Sequence, residues 1–147
     1  MQKTIIAISG GGTTGKSSTV VETINELERR YGVAALPAKT GRGIDRTVII
    51  VQGKLKIGLT SQGDPNTYPE ERVRDLIAKG CSIVICTTRT SGATVKAVVK
   101  EASDQSFRLL WWSNILDEDR TVNHHLLNGR SARAIADLVE SIGGNQL

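Results

Sequence analysis

A chain of 147 residues that is 39% apolar can bury one core and is too short for several domains. Its formal charge of +4 is local: Lys39, Arg42, Arg46, Lys54 and Lys56 face only Asp45 between residues 39 and 56, and the rest is balanced. That excludes a surface basic all over and leaves two readings, an anionic partner at one place or a solvated edge that lysines protect from aggregation. Cys81 and Cys86 give neither a disulfide framework nor a metal-ligand spacing. No run is long enough to span a membrane, and the N-terminal apolar run is too short for a signal peptide. A cytoplasmic, reducing setting is the expectation.

In chain order, Thr4–Ser9 is an apolar run closed by glycines and reads as a buried strand. Lys16–Arg30 reads as a helix, with Val20, Ile24, Leu27 and Tyr31 on one face and Gly32 as its stop. Val33–Leu36 predicts a short strand halted by Pro37, followed by a loop over Lys39–Arg46. Thr47–Val51 and Leu55–Thr60 flank a glycine turn and predict a hairpin. After the polar turn Ser61–Asn66, Thr67-x-x-Glu70 has the form of a capping box. The helix it opens buries Val73, Leu76 and Ile77.

Ser82–Cys86 predicts a second buried strand, and Val95, Val98, Val99 and Ala102 mark the next helix. Phe107–Trp112 reads as a strand. A weaker helix is expected over Asp119–Leu127, broken at Asn128-Gly129, and a last helix capped by Ser131 buries Ile135, Leu138, Val139 and Ile142. Strands alternating with helices predict an α/β fold, a three-layer α/β/α sandwich around a mostly parallel sheet, formed as one domain over residues 1–147. Such sheets bind ligands at the C-terminal ends of their strands. No internal repeat, linker or low-complexity segment interrupts the chain.

Gly10, Gly11, Gly12, Thr13, Thr14, Gly15, Lys16 and Ser17 satisfy G-x-x-x-x-G-K-[ST], between a predicted strand and a predicted helix. Glycines let the backbone wrap closely around phosphate oxygens, and successive amides then form an anion-binding nest. The helix start, through Ser18, adds the positive end of its dipole. Lys16 supplies a full charge to the β and γ phosphates, and the Ser17 hydroxyl is a ligand of the hard-oxygen type that Mg²⁺ takes.

Through these residues the chain resembles the P-loop NTPase superfamily over roughly residues 4–30. The resemblance implies the three-layer fold, Mg²⁺ and a purine nucleoside triphosphate, with ATP the expected one. Members usually carry an acid at the end of a neighbouring apolar strand. Here Ile83–Cys86 runs into Thr87-Thr88-Arg89, and the nearest substitute is Asp64, beyond the strand that ends at Thr60. Asp64 reads as a carboxylate on the Mg²⁺ side or the acceptor side, or as a turn residue beside Pro65. The element order is also similar to small GTPases, but neither Asn-Lys-x-Asp nor an Asp-x-x-Gly after the hairpin is present.

Arg89, just past a buried strand, is placed to neutralise charge on a transferred phosphoryl group, or to form an ordinary ion pair. Thr90, Ser91 and Gly92 open a helix that suits another anion. Arg42 and Arg46 lie in a glycine-flanked loop able to close over phosphates. Alternation sends Trp111 and Trp112 to opposite faces, one to the core and the other free to stack on a base. His124 and His125 diverge on a helix, which argues against a shared metal. Cys81 and Cys86 read as small buried residues.

Two functions follow as expectations. The first is an ATP- and Mg²⁺-dependent phosphotransferase of the P-loop kinase type, acting on a small anionic acceptor, with Lys16, Asp64 and Arg89 as the catalytic candidates and Ser17 and Asp64 at the metal. The second is an NTPase or nucleotide-switched binding module whose partner, a protein or a nucleic acid, meets residues 39–56. Nucleotide binding without turnover is the remaining possibility.

Overall fold

Alternation along Thr4–Ser9 (β1) sends Ile5 and Ala7 to one side of a sheet and Ile6 and Ile8 to the other, and all four are buried. The same two-sided burial holds along Ile83–Thr88 (β5). The computed structural model describes residues 1–10, 15–40, 46–61, 69–113 and 123–147, without the side chains of residues 39, 40, 46, 69, 70 and 124. Among them, six strands form one mixed, mostly parallel sheet: β1, Leu36–Thr40 (β2), Arg46–Gln52 (β3), Leu55–Thr60 (β4), β5 and Arg108–Ser113 (β6), in the order β2-β3-β4-β5-β1-β6. β4, β5, β1 and β6 run parallel, and β3 is antiparallel to both of its neighbours.

Four helices pack on the sheet: Lys16–Tyr31 (α1), Pro69–Ala78 (α2), Ala93–Asp104 (α3) and His124–Gly143 (α4). Val20, Ile24 and Leu27 of α1 and Ile135, Val139 and Ile142 of α4 form one apolar cluster with Ile6, Ile8, Ile83 and Ile85. Val73 and Leu76 of α2 and Val98 and Ala102 of α3 form another with Ile5, Ala7, Val84 and Cys86. Each helix pair thus covers the strand positions of one parity. The approach of α2 to β4 is close enough to require glycine at position 58, where a Cβ would lie 2.9 Å from Leu76 Cδ2 and 3.1 Å from Cys81 Sγ. No helix among the described residues is long and apolar enough to cross a membrane.

Several elements differ from the sequence expectation. β2 starts at Leu36 and runs through Pro37 to Thr40, so Lys39 and Thr40 are strand and not loop. β2 is an edge strand, where the missing N–H of Pro37 is tolerated, and its register with β3 shifts between Pro37 and Lys39. The capping-box residue Thr67 lies outside the described residues. In α3 the buried positions are Thr94, Val98, Glu101 and Ala102, while Val99 is 46% exposed.

The expected break at Asn128-Gly129 is absent. α4 is continuous from His124 to Gly143, and its cap is Asn123, whose side chain accepts from the Leu126 amide at 3.2 Å, in place of Ser131. An interior glycine costs about 1 kcal/mol of helix propensity. The apolar face against α1 outweighs that, reinforced where Arg30 of α1 meets Asp137 and Glu140 of α4. Residues 114–122, over which the weaker helix was expected to start, lie outside the described residues.

Candidate functional site

The C-terminal ends of β1, β5 and β6 come level, with Ser9 opposite Thr88 on one side and Ser113 on the other. β4 ends beside them, because Thr87 Oγ1 donates to the Ser61 carbonyl at 3.4 Å. α1 opens at this rim. Gly15 stands before its first residue at φ +75°, a left-handed conformation that glycine adopts freely. Gly15 has a second reason to lack a side chain: a Cβ there would lie 2.8 Å from Asn128 Oδ1 of α4. Asn128 in turn accepts a hydrogen bond from Thr19 Oγ1 at 3.4 Å.

The α1 N-terminus receives no side-chain cap at Gly15 and carries no acid in its first turn, unlike the Asn123-capped start of α4. The positive end of the helix dipole favours an anion there. Lys16 is 7% exposed, and its ammonium donates to the Gly10 carbonyl at 2.9 Å and the Thr88 carbonyl at 2.8 Å. Those carbonyls solvate the charge in place of water and pin it across the ends of β1 and β5. The Gly10 amide closes the same edge by donating to the Thr88 carbonyl at 3.2 Å.

Ser17 Oγ donates to the Ser61 carbonyl at 3.3 Å. A hydroxyl has one proton and two lone pairs, so this bond commits the proton and leaves oxygen lone pairs for a cation. The donor set, a lysine ammonium, helix amides and a hydroxyl oxygen, is chemically suited to phosphate and Mg²⁺. The strands end at this rim in hydroxyl residues: Ser9, Thr60 with Ser61 after it, Thr87 and Thr88, and Ser113.

Comparison of the chain with protein-family models, with curated proteins and with solved structures finds no match.

The structure brings Gly10, Gly15, Lys16, Ser17 and Ser18 together at the rim. Gly11, Gly12, Thr13, Thr14, Asp64, Arg42 and Asp45 lie outside the described residues. Arg89 follows β5 at the same end, where its amide donates to Thr94 Oγ1 of α3 at 3.0 Å, tying the turn to the helix it leads into. Arg46 begins β3 and pairs in register with Thr40, so it belongs to a strand.

Among the described residues, the basic stretch 39–56 is divided between the two ends of the sheet. Thr47 pairs with Thr60, which puts the start of β3 at the rim, whereas Gln52 pairs with Leu55 at the opposite end of the sheet. Lys54 and Lys56 belong to that far end, and Lys56 sits about 13 Å along β4 from Thr60. Lys56 Nζ donates there to the Lys79 carbonyl at 2.9 Å.

Trp112 packs on the α1 and α4 cluster, whereas Trp111 is 46% exposed and, by alternation, faces the side of α2 and α3. His125 Nδ1 lies 3.9 Å from Glu22 Oε1. Cys81 and Cys86 are buried, and burial pushes their thiols up to about 11 and about 12, which keeps both protonated and unreactive. Asn128 is the contributor that sequence reasoning missed. An asparagine beside a glycine reads locally as a break, and nothing local marks its contact with Gly15.

Proposed function

We propose that the chain binds a nucleoside triphosphate, ATP first among the candidates, with its phosphates at Gly10–Ser18, and transfers the terminal phosphoryl group to a small anionic acceptor. The observation that carries this reading is the Lys16 ammonium, fixed on the Gly10 and Thr88 carbonyls at the head of the helix that opens on Gly15. The two apolar clusters, each with its own helix pair, support the three-layer sandwich of the P-loop NTPase kind.

In this reading Lys16 and the first amides of α1 hold the β and γ phosphates, and charge on the transferring group is met by groups already in place. Ser17 offers its oxygen to Mg²⁺, which when bound neutralises phosphate charge. Asp64 is three residues beyond Ser61, whose carbonyl holds Ser17. Asp64 is the carboxylate candidate of this reading, for the metal side or the acceptor. Arg89, which follows β5 at the same end of the sheet, is the candidate to neutralise charge on the transferring group.

An NTPase or nucleotide-switched binding module is the alternative, and nucleotide binding without turnover is the reading that suits β4 and β5 ending in hydroxyls without a carboxylate among the described residues. The separation of Lys54 and Lys56 from the rim removes much of the case for a single partner surface over residues 39–56.

The test is calorimetric titration with ATP and GTP, with and without Mg²⁺, on wild type and Lys16→Ala. Lys16→Ala is expected to weaken binding by at least about 100-fold, as for loss of a charge-assisted phosphate contact in a buried site. Equal binding by both proteins, or none by wild type, refutes the phosphate site. ADP release that depends on an added acceptor then separates the phosphotransferase from the NTPase.

A further inference from the structure

We propose that the cleft between α1 and α4 seats the nucleoside of the bound nucleotide, an inference that rests on the phosphate reading above. The cleft has a volume of about 340 Å³ and is lined by Ser17, Ser18, Val21 and Glu22 of α1 and His125 and Asn128 of α4. It begins where the phosphate loop ends, because Ser17 and Ser18 belong to both. Ser18, Val21 and Glu22 then share one face of α1, three and four residues apart, and lead away from the loop. A ligand whose phosphates meet the head of α1 extends its remaining half along that face.

Size and chemistry agree. A volume of 340 Å³ lies at the low end of the range of small-molecule sites, about 300–1,000 Å³, which suits a base and sugar and not the triphosphate as well. Val21 gives an apolar wall. The Glu22 carboxylate only accepts hydrogen bonds, which matches ribose hydroxyls and disfavours a second phosphate or an anionic acceptor. His125 has a side chain 83% exposed at the mouth, a flat ring on which a base can stack. The Asn128 amide can both donate to and accept from a base edge. Of the two tryptophans considered for stacking, Trp112 packs into the apolar cluster and Trp111 faces the other side of the sheet.

The experiment compares Mg²⁺-ATP, Mg²⁺-GTP and Mg²⁺-tripolyphosphate by calorimetry on wild type, Val21→Trp and His125→Ala, with circular dichroism confirming that each variant is folded. Wild type is expected to bind a nucleotide more tightly than tripolyphosphate. Val21→Trp, which fills the cleft, lowers nucleotide affinity to that of tripolyphosphate and leaves tripolyphosphate binding unchanged. His125→Ala lowers nucleotide affinity about tenfold, the loss expected for one base–ring stack.

Nucleotide affinity unmoved by either substitution overturns the proposal and leaves the phosphate site standing. An equal loss for nucleotide and tripolyphosphate also overturns it, since the cleft residues then act only through the shape of the loop. Failure of wild type to bind tripolyphosphate and nucleotide alike refutes the phosphate site, and the cleft with it.

Discussion

Gly15→Ala tests how the start of α1 is held. Alanine at φ +75° enters the left-handed region, at a cost of about 1–2 kcal/mol. Its Cβ also falls 2.8 Å from Asn128 Oδ1. Asn128 can clear that contact by rotating, but it then gives up the bond from Thr19, a net contribution of about 0.5–1.5 kcal/mol. The substitution should therefore destabilise the protein by about 1.5–3.5 kcal/mol. Asn128→Ala alone should cost about 0.5–1.5 kcal/mol, the Thr19 bond.

In the Asn128→Ala background only the torsional part remains, so Gly15→Ala should cost about 1 kcal/mol less there than in wild type. Urea unfolding of the four proteins, read as midpoints at constant slope, measures this coupling. Equal costs of Gly15→Ala in the two backgrounds would refute the claim that α4 buttresses the start of α1, and would leave the left-handed torsion as the whole effect.

Three further outcomes are expected. Hydrogen bonds from Arg29 and then Arg30 hold the Glu26 carboxyl below its ordinary value of 4.5, so its contribution is present above that pH and is lost as pH falls through the lowered value. Urea midpoints from about pH 6 to 3 should fall less steeply in Glu26→Gln, and a parallel fall would count against this pairing. Glu101 is buried, with a side chain 4% exposed, and Arg74 meets its Oε1 at 2.6 and 3.0 Å. Arg74→Ala strands that carboxylate and should cost about 2–3 kcal/mol, more than Glu101→Gln, and the reverse order in denaturation would be inconsistent with a stranded charge. Cys86 is fully buried and its thiol is raised to about 12, so a thiol reagent should label it only as fast as the chain opens, and prompt labelling of the native protein would contradict that burial.

Much of the scaffold was legible because its signals are local. The run of Ile5, Ile6, Ala7 and Ile8, the spacing of Val20, Ile24 and Leu27, and the hairpin around Gly53 each need only neighbouring residues, and each formed where the pattern put it. The misreadings arose where a distant contact overrode a local preference. Pro37 entered β2 because that strand has a free edge, and Asn128-Gly129 stayed helical because the face of α4 is buried on α1.

The sequence by itself determined the phosphate-loop candidate, since the glycines, Lys16 and Ser17 act within a single strand, loop and helix. Tertiary structure alone decided what surrounds it. Strand order sets Thr88 beside Gly10, and so lets the Lys16 ammonium bond a carbonyl 72 residues away. It brings the Ser61 carbonyl to Ser17 across 44 residues and Asn128 to Thr19 across 109, while the hairpin carries Lys54 and Lys56 to the far end of the sheet. Contacts at such separations leave no periodicity or spacing in the chain, because they depend on which strands pair and which helix faces meet, and only the packed core fixes those.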